Sequence, residues 1–212
     1  EENGAWDYAI DQLNRLITEK TKLLIVNFPH NPTGYSPRKE EQLEIIKICR
    51  KNDVYIFSDE MYRFLDHTQG ANLPSMCDVY EKSISLWGTS KTFGLAGVRI
   101  GWITSKDRGL LQKVENFKDY LSICSSAPSE ILATIALNNL DYFLQRNLEK
   151  IRHNIELFQI FQKKHKALFD FQAPPTSSTA FVRFHLESST AEFAENLVKE
   201  TGIMLLPSEA FE

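Results

Sequence analysis

The chain has 212 residues, 42% of them apolar, a formal net charge of -4 and no long basic block. That is enough apolar material for one large domain, or for one domain and part of another. The charge disfavours a surface built for nucleic acid or anionic membrane and points towards small-molecule chemistry.

Cys49, Cys77 and Cys124 lack the C-x-x-C spacing of a zinc or redox site and read as buried, reduced thiols of a cytoplasmic protein. No apolar run reaches the length of a bilayer span; even ILATIALNNL is broken by asparagines. The opening EENGAWDYAI has neither an initiator Met nor a signal pattern, and LLPSEAFE stops after what reads as a strand and turn. A segment of a longer chain is the expectation.

From Trp6 to Thr18, Ile10, Leu13, Leu16 and Ile17 fall at helical spacing, and LLIVNF then reads as a buried strand. NFPHNPTG is loop chemistry. Ser36 and Pro37 are expected to open a helix running to about Lys51, its inner face made by Leu43, Ile45, Ile46 and Cys49. VYIFS forms a second strand ending at SDEMY, and SISLW a third ending at GTSK. RIGWIT, from Arg99 to Thr104, is a fourth, with a helix from about Lys106 to Leu121.

From Ser129 to about Leu168 there is no Pro or Gly, and the apolar rhythm predicts one long or kinked helix. FQAPPTSSTAFVRFHL suggests a loop then a strand, Glu192 to Glu200 a short helix stopped by Gly202, and IMLLP another strand. Strands alternating with helices imply a mostly parallel sheet with flanking helices, an α/β fold. The division expected is a large-domain portion over residues 1–125 and an interdomain helix with a partial, smaller α+β domain over 126–212.

In such sheets ligands bind beyond the carboxyl ends of the strands, and NPTG, SDEMY and GTSK each follow a predicted strand directly. Asn31, Asp59, Tyr62 and Lys91 would then converge. Each also has a plainer reading: a turn asparagine, a helix-capping acid, a core tyrosine, a solvated lysine. Lys91 stands in SLWGTSKTFGLAGVRIGW with only Arg99 as a second charge. A neutral amine attacks carbonyls, and desolvation with a neighbouring cation would favour that form. Arg99 offers a planar fork for a phosphate, assisted by the Ser90 hydroxyl. The glycines at 94, 97 and 101 fit neither G-x-G-x-x-G nor a G-K-[ST] loop, which disfavours a dinucleotide or nucleoside triphosphate. The five histidines show no H-x-x-x-H pairing, so no metal site is expected; His30 reads as a loop residue near the cleft. A lysine, a carboxylate, a phosphate-binding arginine, and amide and phenol donors describe a pocket for pyridoxal phosphate.

NFPHNPTG, SDEMY and GTSKTFGLAGVRIGW, in this order, resemble the fold type I, class I/II aminotransferases that depend on pyridoxal 5'-phosphate. The likeness covers about half of a typical subunit of that family. It implies that Lys91 forms the Schiff base and shuttles the proton. Asp59 would pair with the pyridine nitrogen, Tyr62 and Asn31 with the 3-oxygen, and Ser90 and Arg99 with the phosphate. The implied reaction moves an amino group between an amino acid and a 2-oxo acid, in a homodimer.

Two departures stand out. Gly88 occupies a position where many relatives have serine, and no arginine for the substrate carboxylate can be assigned, Arg183 being an unconvincing candidate. Two other activities share the resemblance: a lyase or cyclising enzyme on the same fold, and an aminotransferase-like sensor domain of a transcription regulator. Carbon-sulfur lyases usually have histidine at the Tyr62 position, which favours transamination.

Overall fold

The structure is a computed structural model that describes residues 6–68, 73–185 and 187–211. The opening EENGA and Leu186, the last residue of the expected loop and strand FQAPPTSSTAFVRFHL, lie outside the described residues. In chain order the elements are α1 (Ile10–Leu16), β1 (Leu23–Asn27), α2 (Lys39–Lys51), β2 (Tyr55–Asp59), α3 (Met76–Val79), β3 (Ser83–Gly88), β4 (Gly101–Thr104) and α4 (Arg108–Leu121). They continue with α5 (Ala127–Asn138), α6 (Leu140–Lys164), β5 (Phe169–Asp170), β6 (Arg183–Phe184) and α7 (Thr190–Thr201).

A four-stranded sheet runs in the order β1-β2-β3-β4. β1, β2 and β3 are parallel, with Asn27 opposite Asp59 and Asp59 opposite Leu86, so β1 and β2 end side by side and β3 runs two residues further, to Gly88. β4 returns antiparallel to β3. That is the geometry expected when a 3-10 turn at Ala96–Val98, rather than a crossover helix, connects the two strands.

Period-two alternation gives the sheet two unequal faces. Val26, Ile56, Ser58, Ser83 and Ser85 point into the protein, where Leu13, Ile17, Ile45, Ile46, Ile48, Cys49, Val54 and Tyr80 close the core. The Tyr80 hydroxyl donates to the Val54 carbonyl at 2.8 Å, pairing the phenol inside that core. On the other face Ile25 remains 67% exposed.

α2 begins later than the Ser36–Pro37 pair suggests. The Arg38 amide donates to Glu41 Oε2 at 2.5 Å while the Arg38 guanidinium meets Oε1 at 2.8 Å, so the helix opens on that reciprocal closure. The long helix is two, α5 and α6. Asn139 separates them because its side-chain amide donates to the Ile135 carbonyl at 2.8 Å, competing with the main chain for a helical acceptor. Gly202 ends α7 at φ 73, its amide donating to the Val198 carbonyl at 3.0 Å.

IMLLP does not form a strand. Ile203, Met204, Leu205 and Leu206 are exposed, and the small sheet nearby is a two-residue ladder of β5 and β6. An apolar run without a neighbouring strand has nowhere to place its main-chain donors. The cysteines also differ from expectation. Cys49 is buried, Cys77 half-buried and Cys124 exposed beyond the end of α4.

Burial pushes the Cys49 thiol up to about 11. At neutral pH it is therefore a protonated core group, and maleimide should modify Cys124 rapidly but Cys49 only on unfolding, as read by peptide mass spectrometry. Truncating Ile45, which has no exposed surface, to alanine should cost about 2–5 kcal/mol in a urea titration.

Candidate active site

The strand ends assemble the edge. The Asp59 carbonyl accepts from the Phe28 amide at 3.0 Å and from Asn27 Nδ2 at 3.1 Å. Asn27 Oδ1 in turn accepts from the Asn31 amide at 2.9 Å. The loop after β1 is thereby tied to the end of β2, with cis peptide bonds before Pro29 and Pro32. The Asn31 side chain is left exposed above that edge. His30, which the sequence places near the cleft, braces the loop through Thr33 Oγ1 at 2.8 Å, and burial lowers its affinity for a proton.

Asp59 and Glu60 are adjacent acids with opposite fates. Asp59 is half-buried and its Oδ1 accepts from the Met61 amide at 3.0 Å, leaving the carboxylate on the open side. Glu60 is buried, accepting from the Met76 amide at 2.8 Å, the Ser85 hydroxyl at 2.9 Å and Arg63 Nη1 at 3.2 Å. The sequence offers no means of telling the two apart beyond strand alternation. Glu60 anchors the strand end, whereas Asp59 Oδ2 has no hydrogen bond among the described residues. Among the described residues no ion pair involves Asp59, Lys91 or Arg99.

Tyr62 is buried in the turn after β2, and Lys91 Nζ lies 5.6 Å from its ring centroid. Lys91 itself is exposed, as is Arg99, so the desolvated setting that the sequence suggests for the lysine is not supplied by the described residues. Lys91 begins a turn closed by the Gly94 amide, which donates to the Lys91 carbonyl at 3.0 Å. Thr92, wholly buried, fastens this turn to the Tyr62 turn, its hydroxyl lying 2.6 Å from the Arg63 carbonyl and 3.3 Å from that of Met61. Tyr62 and Lys91 therefore share one frame, although 29 residues separate Thr92 from Arg63.

Arg99 follows the 3-10 turn in the left-handed region, at φ 57. For a residue with a Cβ this costs about 1–2 kcal/mol, which the neighbouring hydrogen bond from the Thr89 amide to the Ile100 carbonyl, at 3.0 Å, offsets in part. Its Nη1 donates to the Ala96 carbonyl at 3.3 Å, leaving other donors of the fork open. Ser90 is half-buried beside Lys91, and among the described residues no hydrogen bond engages its hydroxyl. Arg183 lies exposed on β6.

Gly88 has a steric reason. A Cβ there would stand 3.0 Å from the Ile100 carbonyl and 3.1 Å from the Gly101 Cα, because β4 passes close beside it. Gly34 is more constrained still. At φ 69 a Cβ would press to 2.4 Å on Pro174 and 2.7 Å on the Thr176 carbonyl, and the Thr176 hydroxyl donates to the Gly34 carbonyl at 2.7 Å. The segment after β5 thus packs directly on the NPTG loop.

The chain resembles known proteins throughout. It is 26% identical over 203 residues to capreomycidine synthase of Streptomyces vinaceus, covering 95% of this chain and 51% of the relative. It is 27% identical over 215 residues to aromatic-amino-acid aminotransferase 2 of Thermococcus litoralis, covering 99% and 54%. Among solved structures, a PLP-dependent aminotransferase from Streptococcus suis superposes with a TM-score of 0.92 at 29% identity, covering 100% of this chain and 55% of that one. The chain spans about half the length of the curated relatives it matches. The family described as aminotransferase class I and II matches over residues 2–212, and the chain belongs to that family.

Proposed function

We propose that this chain is the lysine-bearing part of a pyridoxal-phosphate-dependent aminotransferase that moves an amino group between an amino acid and a 2-oxo acid. The observation that supports the reading is that the loops bearing Asn31, Asp59 with Tyr62, and Ser90 with Lys91 leave the carboxyl ends of three neighbouring parallel strands, with Lys91 Nζ 5.6 Å from the Tyr62 ring centroid. On this reading residues 1–125 belong to the large domain, and 126–212 supply the interdomain helices and part of a smaller domain.

The donor set suits the cofactor. The open side of the Asp59 carboxylate, the exposed Lys91 amine and the unengaged Ser90 hydroxyl, with spare donors on Arg99, match a ring nitrogen, an aldehyde and a phosphate. When bound, pyridoxal phosphate supplies the electron sink that makes the amino acid's Cα proton removable. Asp59 would hold a proton on the ring nitrogen by its negative charge. Asn31 and Tyr62 would orient the ring through its 3-oxygen, and Ser90 and Arg99 would fix the phosphate. Lys91 would hold the cofactor covalently and, once released by the substrate amine, would serve as the base that carries the Cα proton on Nζ.

A second reading, a cyclising enzyme, draws on the similarity to capreomycidine synthase. It uses the same residues for proton transfer and differs in the fate of the substrate. Homodimerisation and a cytoplasmic location are part of the leading reading, the first resting on the family resemblance and the second on the free cysteines. Among the described residues no helix is long and apolar enough to cross a membrane.

Borohydride reduction of the protein with pyridoxal phosphate should fix the cofactor on the Lys91 peptide, and Lys91→Ala should abolish the adduct. An adduct of unchanged yield in Lys91→Ala sinks the assignment. Asp59→Ala in the full-length protein should keep some cofactor but lose transamination by about a hundredfold or more. Wild-type turnover in that variant, measured with a panel of amino donors and 2-oxo acids, would remove Asp59 from the chemistry.

A further inference from the structure

The turn that begins at Lys91 uses the Lys91 carbonyl for its own closing bond and leaves the carbonyls of Thr92 and Phe93 pointing outward. Both are taken by adjacent residues of α6. Asn147 Nδ2 donates to the Thr92 carbonyl at 2.8 Å, and Arg146 Nη2 donates to the Phe93 carbonyl at 3.2 Å. The guanidinium also lies 3.4 Å from Asn147 Oδ1 through both Nε and Nη2. This contact sets the amide's orientation, with its oxygen on the arginine and its nitrogen on the turn. Phe93 packs edge-on against Phe143, one helical turn earlier on α6, with ring centroids 6.1 Å apart.

Gly94 completes the fit. It stands at φ 67, and a Cβ there would lie 3.2 Å and 3.3 Å from the two polar atoms of the Asn147 amide. On the opposite side the buried Thr92 hydroxyl reaches the carbonyls flanking Tyr62. The turn is therefore held between the frame of the sheet and α6, and the main chain of Lys91 cannot shift without breaking one set of bonds.

We propose that Asn147, oriented by Arg146, is a positioning residue for Lys91: it transmits the placement of α6 to the reactive lysine through the Thr92 carbonyl. The proposal rests on the aminotransferase reading for its chemical consequence but not for its mechanical one. Asn147 touches no reacting atom. Its effect is on where Nζ stands relative to Tyr62 and Asp59.

The test compares Asn147→Leu, Asn147→Asp and the control Gln145→Ala, a substitution at an exposed α6 position. In the cofactor-free protein, amide exchange at Gly94 should quicken by about two- to tenfold in both Asn147 variants, with core amides such as that of Ile46 unchanged. In the full-length protein with pyridoxal phosphate, the pH midpoint of the visible chromophore should shift in the same variants, while Gln145→Ala matches the wild type in both readouts. Should Asn147→Leu fail to fold, Asn147→Asp, which keeps the shape and removes the donor, carries both measurements. Gly94 exchange and chromophore midpoint both at wild-type values in a folded Asn147 variant would overturn the proposal. If the wild type takes up no cofactor, the aminotransferase reading fails, and Gly94 exchange alone still decides whether Asn147 holds the turn.

Discussion

One main-chain oxygen organises this edge of the molecule. The Asp59 carbonyl receives the Phe28 amide and the Asn27 side-chain amide, which joins the loop after β1 to the end of β2. The same residue then turns its carboxylate outward, where the Met61 amide steadies it. Without that joint the asparagine loop and the acid would share a sheet but not a site. Parallel pairing makes the joint possible, because the three strands then deliver their following loops to the same end of the sheet.

Much of this could be read from the residues. Apolar runs bounded by loop chemistry located β1, β2 and β3, and helical spacing located α1, α2 and α7. The approach of Lys91 to Tyr62 is what neighbouring parallel strands would produce. Local side-chain competition was harder to foresee. Asn139 divides one helical pattern into α5 and α6 by capturing a carbonyl, and Glu41 moves the start of α2 by closing on Arg38. IMLLP has the composition of a strand but no partner, and pairing is a property of the neighbours, not of the run.

Solvent exposure at Lys91 and the tethers around it were not legible. Nothing in the sequence marks Thr92 and Asn147 as tethers, since one is a threonine after a lysine and the other an asparagine on a long amphipathic helix. Their 2.8 Å contact spans 55 positions and exists only because α6 returns across the turn. Similarly, Pro174 and Thr176 seat against Gly34, the threonine from 142 positions away. The second half of the chain thus grips both lips of the rim, one through an amide on a helix and the other through an extended proline-containing segment.

The sheet also has a bare margin. Among the described residues β1 lies at the end of the strand order, and it presents Leu23 and Ile25 to solvent. A strand at the end of the order has main-chain groups on one side without a partner strand, which is where another polypeptide can add a further strand. A charged residue in place of Ile25 would make that margin less hospitable to such an addition.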